Sequence, residues 1–379
     1  MKFIHLLLSH RAPMTSMSMQ RSKEPRRFFL LIAILLALIL AGCNGLAGGD
    51  TQSQPLKVNF FGTAANHVHS LIALPNHVLV LATHYGLFRS ADSGQHWTLV
   101  AAGPDQGMMT NWLAASPLDY HRLYVMTFPA VANHTGVLGL YTSADQGHTW
   151  KVTMTSAQLG NNNFIVQPGN TSPDQVYVYV NVLGTHGLKV SNDAGQHFAT
   201  LGTLPFASIE GLLALPGVPG TLLVYGYEGI ARSTDSGMHW NILAGMSQHA
   251  VFGMTTGGPH SPLYATGDEG IYASQDGGKS FALISSGTSY AALTASAIDP
   301  QLLYGKTSRT IFCSTDGGHS WKALPPTTGS HGTPYTLATD PVNPARLYLA
   351  LSYPTEVYRY DQDSGNREQW TSLTPNVDQ

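Results

Sequence analysis

The sequence predicts an all-β protein, a single seven-bladed β-propeller of four-stranded antiparallel blades, and three observations carry that prediction. The first is a repeated pattern, Ser-x-Asp-x-Gly-x-x-Trp/Phe, called the box below. It stands at Ser90-Asp92-Gly94-Trp97, Ser143-Asp145-Gly147-Trp150, Ser191-Asp193-Gly195-Phe198, Ser233-Asp235-Gly237-Trp240, Ser274-Asp276-Gly278-Phe281 and Ser314-Asp316-Gly318-Trp321. The second is its spacing. Its serines recur after 53, 48, 42, 41 and 40 residues, and a degraded copy, Asp361-Asp363-Gly365 with Trp370 two residues late, follows 47 residues on. Repeats of about 40–50 residues holding several short strands mark a propeller. The third is composition: 39 Gly and 22 Pro with 11% charged residues suit many short strands and tight turns. No stretch reads as an amphipathic helix.

Each repeat supplies four strands. In repeat 4 they fall at 211–215, 221–225, 229–233 and 240–243; in repeat 1 at 70–74, 77–82, 87–90 and 97–100. Repeat 7 gives 336–338, 346–351, 357–360 and 370–373. The leftover segment 57–61 is free to add to the last blade and close the ring. The box joins strands 3 and 4, and its chemistry reads as structural. The side chains of Asp92, Asp145, Asp193, Asp235, Asp276 and Asp316 accept hydrogen bonds from turn N–H groups, as the serines do. The Gly takes a positive φ, and the aromatic ring buries itself back into the blade.

The front of the chain reads as an address. Residues 1–27 are polar and carry six basic residues, and 28–40 form a 13-residue apolar run, short for a bilayer span. It ends in Leu40-Ala41-Gly42-Cys43, which resembles a bacterial lipobox with Cys43 as the lipidated residue. The organisation expected is a lipoprotein signal peptide at 1–42, a flexible tether at 43–55 and the propeller at 56–379. The expected location is the cell envelope, with the chain lipid-anchored on the extracytoplasmic side of a bacterial membrane.

Removing 42 residues leaves 337, with 13 basic against 21 acidic residues, about −8. An acidic body without a basic stripe makes nucleic acid an unsuitable partner. Cys313 is the one cysteine beyond Cys43, sits in an apolar strand and reads as a buried small hydrophobe.

Antiparallel strands place alternate turns on opposite faces. The box shares a face with the 1–2 turn, while the lead-in to strand 1 and the 2–3 turn surround the mouth of the channel, where propellers commonly bind. The lead-in column reads His69, Asn111, Asn162, Glu210, Val251 or Phe252, Thr294 and Tyr335. The 2–3 column reads Tyr85, Leu138, His186, Glu228, Glu269, Arg309 and Thr355. Both vary between repeats while the box is uniform, which suggests a binding surface. The ligand-binding candidates are His69, Asn111, Asn162, Glu210, Tyr335, Tyr85, His186, Glu228, Glu269 and Arg309. The long 2–3 connection of repeat 2, residues 128–139, reads as a mobile loop over the mouth. His67 and His69 share one side of a strand, with His84, His186 and His249 as candidate neighbours for zinc. With no acidic partner identifiable, no metal and no cofactor is assigned. His96, His148, His197, His239 and His319 fall in box turns and are expected to be solvated.

The boxes resemble the Asp-box (BNR) repeats of sialidases, xyloglucanases, sortilin-type receptors and the photosystem II stability and assembly factor family, over residues 57–373. Those families share a scaffold rather than a site. The resemblance to sialidases implies three converging arginines. Among the seven arginines of the mature chain, Arg309 alone belongs to the mouth face, so that site cannot be assembled. The resemblance to xyloglucanases implies two catalytic carboxylates, for which Glu210, Glu228, Asp268 and Glu269 on blades 4 and 5 are the candidates. The resemblance to the assembly factors implies a single exported propeller that holds a protein, although their arginine-rich patch is missing. The leading expectation is a monomeric membrane-anchored scaffold that binds a protein or glycan through the channel mouth. A glycoside hydrolase using a Glu/Asp pair is the alternative.

Overall fold

The computed structural model describes residues 65–160, 164–288, 290–327, 329–362 and 369–374. The expected leader, Cys43, the tether, segment 57–61, Asn162, Asp363, Gly365 and Arg367 lie outside the described residues. Within them stand seven sheets of four antiparallel strands, each ordered as in the sequence. The blades cover residues 68–101, 108–155, 164–200, 211–242, 251–286, 292–323 and 333–372. Strands fall within about three residues of their expected bounds; in blade 4 they are Gly211–Ala214, Leu222–Gly226, Gly229–Ser233 and Asn241–Ile242.

The first strands are innermost. Each touches the first strand of the next blade, and Val68–Leu74 of blade 1 touches Thr333–Thr339 of blade 7, closing the ring. Second strands are covered on both faces: every residue of Val78–Thr83, Val176–Val180 and Leu263–Gly267 is buried. Fourth strands such as Ala199–Thr200 and Lys322–Ala323 lie exposed at the rim. No described helix is long and apolar enough to cross a membrane.

Apolar side chains gather between blades rather than within them. Seven buried clusters fill the seven seams, and each takes one box-turn aromatic from the later blade. Trp97 joins the blade 7–1 cluster, Trp150 the 1–2, Phe198 the 2–3 and Trp240 the 3–4 cluster. Phe281, Trp321 and Trp370 follow in the same way. Each ring thus packs on its own blade, as expected, and on the preceding blade as well; Trp150, Trp240 and Trp321 donate Nε1 to the Gly147, Gly237 and Gly318 carbonyls of their own box turns. The physical reason is supply: strand faces inside one sheet are only four strands wide, and their free apolar faces meet across the seam. Trp97 Nε1 donates to the Leu373 carbonyl (3.1 Å), and Trp370 Nε1 to the Pro325 carbonyl (2.8 Å), so both bonds cross seams. The degraded repeat therefore keeps its aromatic. Its Asp361 accepts from Arg346 Nε (2.8 Å) and Arg359 Nε (2.6 Å).

The box turns are hydrogen-bonded as expected. Ser233 Oγ donates to Asp235 Oδ1 (2.8 Å) and accepts from the Gly237 N–H (2.9 Å), while the His239 N–H donates to Asp235 Oδ1 (2.9 Å). The residue before the aromatic adds a partner that the pattern did not reveal. His96, His197 and His239 place Nδ1 at 2.6 Å from the second carboxylate oxygen, and Thr149, Ser280 and Ser320 donate a hydroxyl there. Three of the box histidines are thus solvent-facing but engaged. Backbone bonds from Ser93, Gln146, Ala194, Ser236 and Gly317 to the 1–2 turn of the same blade put box and 1–2 turn on one face.

The His239 N–H, followed by its ring, holds Asp235 down at about 2. A carboxyl depressed below its unfolded value near 4 stabilises above that value, and the contribution disappears as pH falls from about 4 through 2. Asp235→Asn should therefore melt about 1–2 °C below the parent at pH 6, a small gap because the pair is exposed, with the gap closing by pH 2. Melting curves from pH 6 to 2 check this; a pH-independent gap contradicts it.

Candidate functional site

The channel mouth is formed where strand 1 begins and strand 2 turns into strand 3. In blade 1 the His84 N–H donates to the His67 carbonyl (2.9 Å), tying the 2–3 turn to the lead-in. The first strands carry an extra residue at this level. It is His69 in blade 1, Phe252 in blade 5 and Tyr335 in blade 7, each opposite a single step of strand 2. In blade 2 the irregularity lies between Asn111 and Ala114, with Trp112 at φ 52°. A bulge re-aims the inserted side chain and steepens the local twist. Trp112, Phe252 and Tyr335 are accordingly exposed.

The bulge in blade 2 changes the expected residue. Asn111 Oδ1 accepts from the Trp112 N–H (2.7 Å) and so braces the bulge, while Trp112 faces outward. Asn111, Trp112 and Glu210, with Ile165 and Tyr179 behind them, line an open pocket of about 310 Å³ across blades 2, 3 and 4. Trp112 was missed because a bulge is invisible in spacing; its signal was the aromatic beside Asn111, matching Phe252 and Tyr335. Thr294 is displaced in the opposite sense. Blade 6 begins at Ala292, and Thr294 pairs with Tyr304 inside the strand.

Among the described residues, nine large exposed hydrophobics belong to the mouth face: Trp112, Val131, Val137, Val182, Leu183, Tyr227, Phe252, Tyr335 and Tyr353. Five are aromatic, against Tyr120 alone on the box face. Tyr227 and Phe252 meet edge to face at 6.0 Å. His186 and Arg309 lie exposed in their 2–3 turns, and Tyr85 is half-buried with its N–H donated to Asn66 Oδ1 (3.1 Å). Leu138 is half-buried beside strand 3 of blade 2. Thr355 is fully buried and donates to the Asn66 carbonyl, a ring-closing contact rather than part of a surface. Lys306, missed because it ends a strand, is buried at this level, and burial lowers its pKa.

The four carboxylates are not gathered into one cluster. Glu210 lines the blade 2–4 pocket, and Glu228 accepts from the Ala207 N–H (3.1 Å). Asp268 and Glu269 flank Tyr272, whose hydroxyl donates to Asp268 Oδ1 (3.3 Å) and Glu269 Oε2 (3.4 Å), with His249 Nδ1 at 3.3 Å. Burial first, then these two charges, push the Tyr272 phenol up.

The expected mobile loop is pinned. Backbone N–H groups of Ala130 and Val131 donate to Gly107, and those of Thr135 and Gly136 to Gln106. The reason is a left-handed turn at Gly107 (φ 63°), where an added Cβ would stand 2.6 Å from Val131 Cγ2.

Three of the five candidate histidines meet. One ring nitrogen each of His67, His69 and His84 lies within 4.8 Å of the other two, whereas His186 and His249 lie elsewhere. His67 stacks on His84 (centroids 4.7 Å) and on Tyr353 of blade 7 (5.0 Å). Burial, reinforced by the neighbouring rings, lowers His69 to about 3 and, with His84, His67 to about 4. Burial lowers His84 as well.

The comparisons follow from this architecture. No protein-family model matches the chain, and no curated protein does. Solved structures do: this is the fold of GH74 enzymes and of YCF48. The GH74 xyloglucanase from Xanthomonas campestris aligns with TM-score 0.64 and 19% identity over 84% of this chain and 55% of its own. The chain thus spans about half the length of that enzyme. YCF48 bound to D1 peptide aligns with TM-score 0.58 and 15% identity, over 84% of this chain and 100% of its own. YCF48 from Cyanidioschyzon merolae gives TM-score 0.58 and 12% identity, over 79% and 97%. At such identities the likeness concerns the fold.

Gly107→Ala should cost about 1–2 kcal/mol and release the blade 2 connection. Amide exchange should accelerate at residues 130–136 with other blades unchanged; unchanged protection there contradicts the pinning.

Proposed function

We propose that the protein is an Asp-box propeller that holds an extended segment of another protein across its channel mouth, anchored to the extracytoplasmic side of a bacterial membrane through lipidated Cys43. The observation that carries the reading is the concentration of exposed aromatic side chains on that face, beside the pocket of Trp112, Asn111 and Glu210. Aromatic anchors next to a concave surface are the usual energetic centres of protein recognition. Support comes from YCF48, a single propeller of comparable extent seen with a peptide. A mouth built of aromatics and carboxylates, with Arg309 as its exposed arginine, suits an apolar or basic segment rather than an acidic one.

The GH74 likeness keeps a glycan-directed reading in second place, with Asp268 and Glu269 around Tyr272 as its specific feature. One experiment separates the two. Peptide arrays probed with the full chain should lose signal at least about tenfold in Trp112→Ala with Tyr227→Ala and Phe252→Ala, because each aromatic anchor contributes on the order of 1–2 kcal/mol. Tyr120→Ala on the box face should keep it. Turnover of a xyloglucan or glycoside panel, abolished by Glu228→Gln with Glu269→Gln, would install the hydrolase instead. For the anchor, Cys43→Ser should move the chain from the membrane fraction to the soluble one; retention in the membrane overturns lipidation at that residue.

A further inference from the structure

Blade 1 contains a feature that a peptide-holding surface does not need. His67, His69 and His84 come from the lead-in, the bulge and the 2–3 turn of one blade, and their ring nitrogens converge within 4.8 Å. His84 is only 8% exposed, and its Nδ1, like Nε2 of His69, is shut off from water without a hydrogen-bond partner. Leaving a polar nitrogen buried and unpaired is unfavourable, because its hydration is lost and nothing replaces it. Two such nitrogens belong to one cluster of three imidazoles, and a partner that accepts their lone pairs would relieve both. A water can donate to two such lone pairs, whereas a metal ion takes one from each of the three rings at once.

We propose that His67, His69 and His84 form a three-imidazole site for a first-row divalent ion, with zinc as the best fit. This revises the sequence-level assignment of no metal, and the reason is the bulge, which turns His69 towards a turn that spacing cannot place beside it. Zinc takes imidazole nitrogen at about 2.0–2.1 Å in tetrahedral geometry, so the three nitrogens must draw together by roughly an ångström. Three protein ligands leave one position open for water or a donor from a bound molecule. Neutral imidazole is the form that ligates. Packing restrains the rings: Tyr353 stacks on His67, and Tyr85 meets His84 edge-on at 4.6 Å. Among the described residues no carboxylate orients these rings, which suits an exchangeable ion better than a permanently held one.

The test is calorimetric titration of the full chain, stripped with chelator, with Zn²⁺ alone, followed by Co²⁺ as a spectroscopic probe. One equivalent should bind, give the intense visible bands of tetrahedral cobalt, and raise Tm by about 2–4 °C at saturation. His67→Ala, His69→Ala and His84→Ala should each weaken binding at least about tenfold, whereas His249→Ala and His96→Ala should not. If an Ala variant fails to fold, His69→Gln and His84→Gln keep the volume and serve in its place. Unchanged affinity in these variants, loss in His96→Ala instead, or octahedral cobalt alone would overturn the site. Peptide binding is read separately, so failure here leaves the mouth-surface reading untouched.

Discussion

Everything in this molecule depends on apolar seams between blades. A four-stranded sheet of this size cannot bury both its faces alone, and stacking in a ring covers each face with a neighbour. The box-turn aromatic is the piece that makes each seam specific, because it reaches back onto the blade before its own. Its reach is fixed by the box turn, whose Ser, Asp and left-handed Gly leave the backbone little choice. The turn is therefore selected by what lies one blade away. In blade 7 an Arg–Asp cluster forms at Asp361, and Trp370 still fills its seam.

Such a scaffold separates stability from recognition by face. Brace and 1–2 turn share one side, bonded to each other in blade after blade. The opposite side carries the inserted bulge residues, which escape the ladder and so escape its constraints. Bulging at the channel end of first strands also fits the geometry: seven strands converge there, and a local increase in twist relieves their crowding. The side chains that result are varied, with Trp112, Phe252 and Tyr335 facing outward and His69 turned into the histidine cluster.

Much of the fold was legible because it is written in repeated local chemistry. Box spacing gave the blades, and alternation between box and lead-in gave the two faces. What stayed hidden depended on neighbours. Asn111 and Trp112 exchange roles through a bulge; residues 128–139 are tied down by Gln106 and Gly107; His96, His197 and His239 partner carboxylates four residues away. Glu210, Glu228 and the Asp268–Glu269 pair looked adjacent in blade numbering but occupy separate surroundings, because adjacent blades diverge from the axis.

Six of the seven seams are crossed by the polypeptide; the seam between blades 7 and 1 is crossed by side chains and hydrogen bonds alone among the described residues, from Val68 to Ser352, Thr355 to Asn66 and Trp97 to Leu373. That is the clasp of the ring. The imidazole trio sits at its rim with Tyr353 of the far blade laid over His67, so parting blades 7 and 1 would lift that cover from the trio.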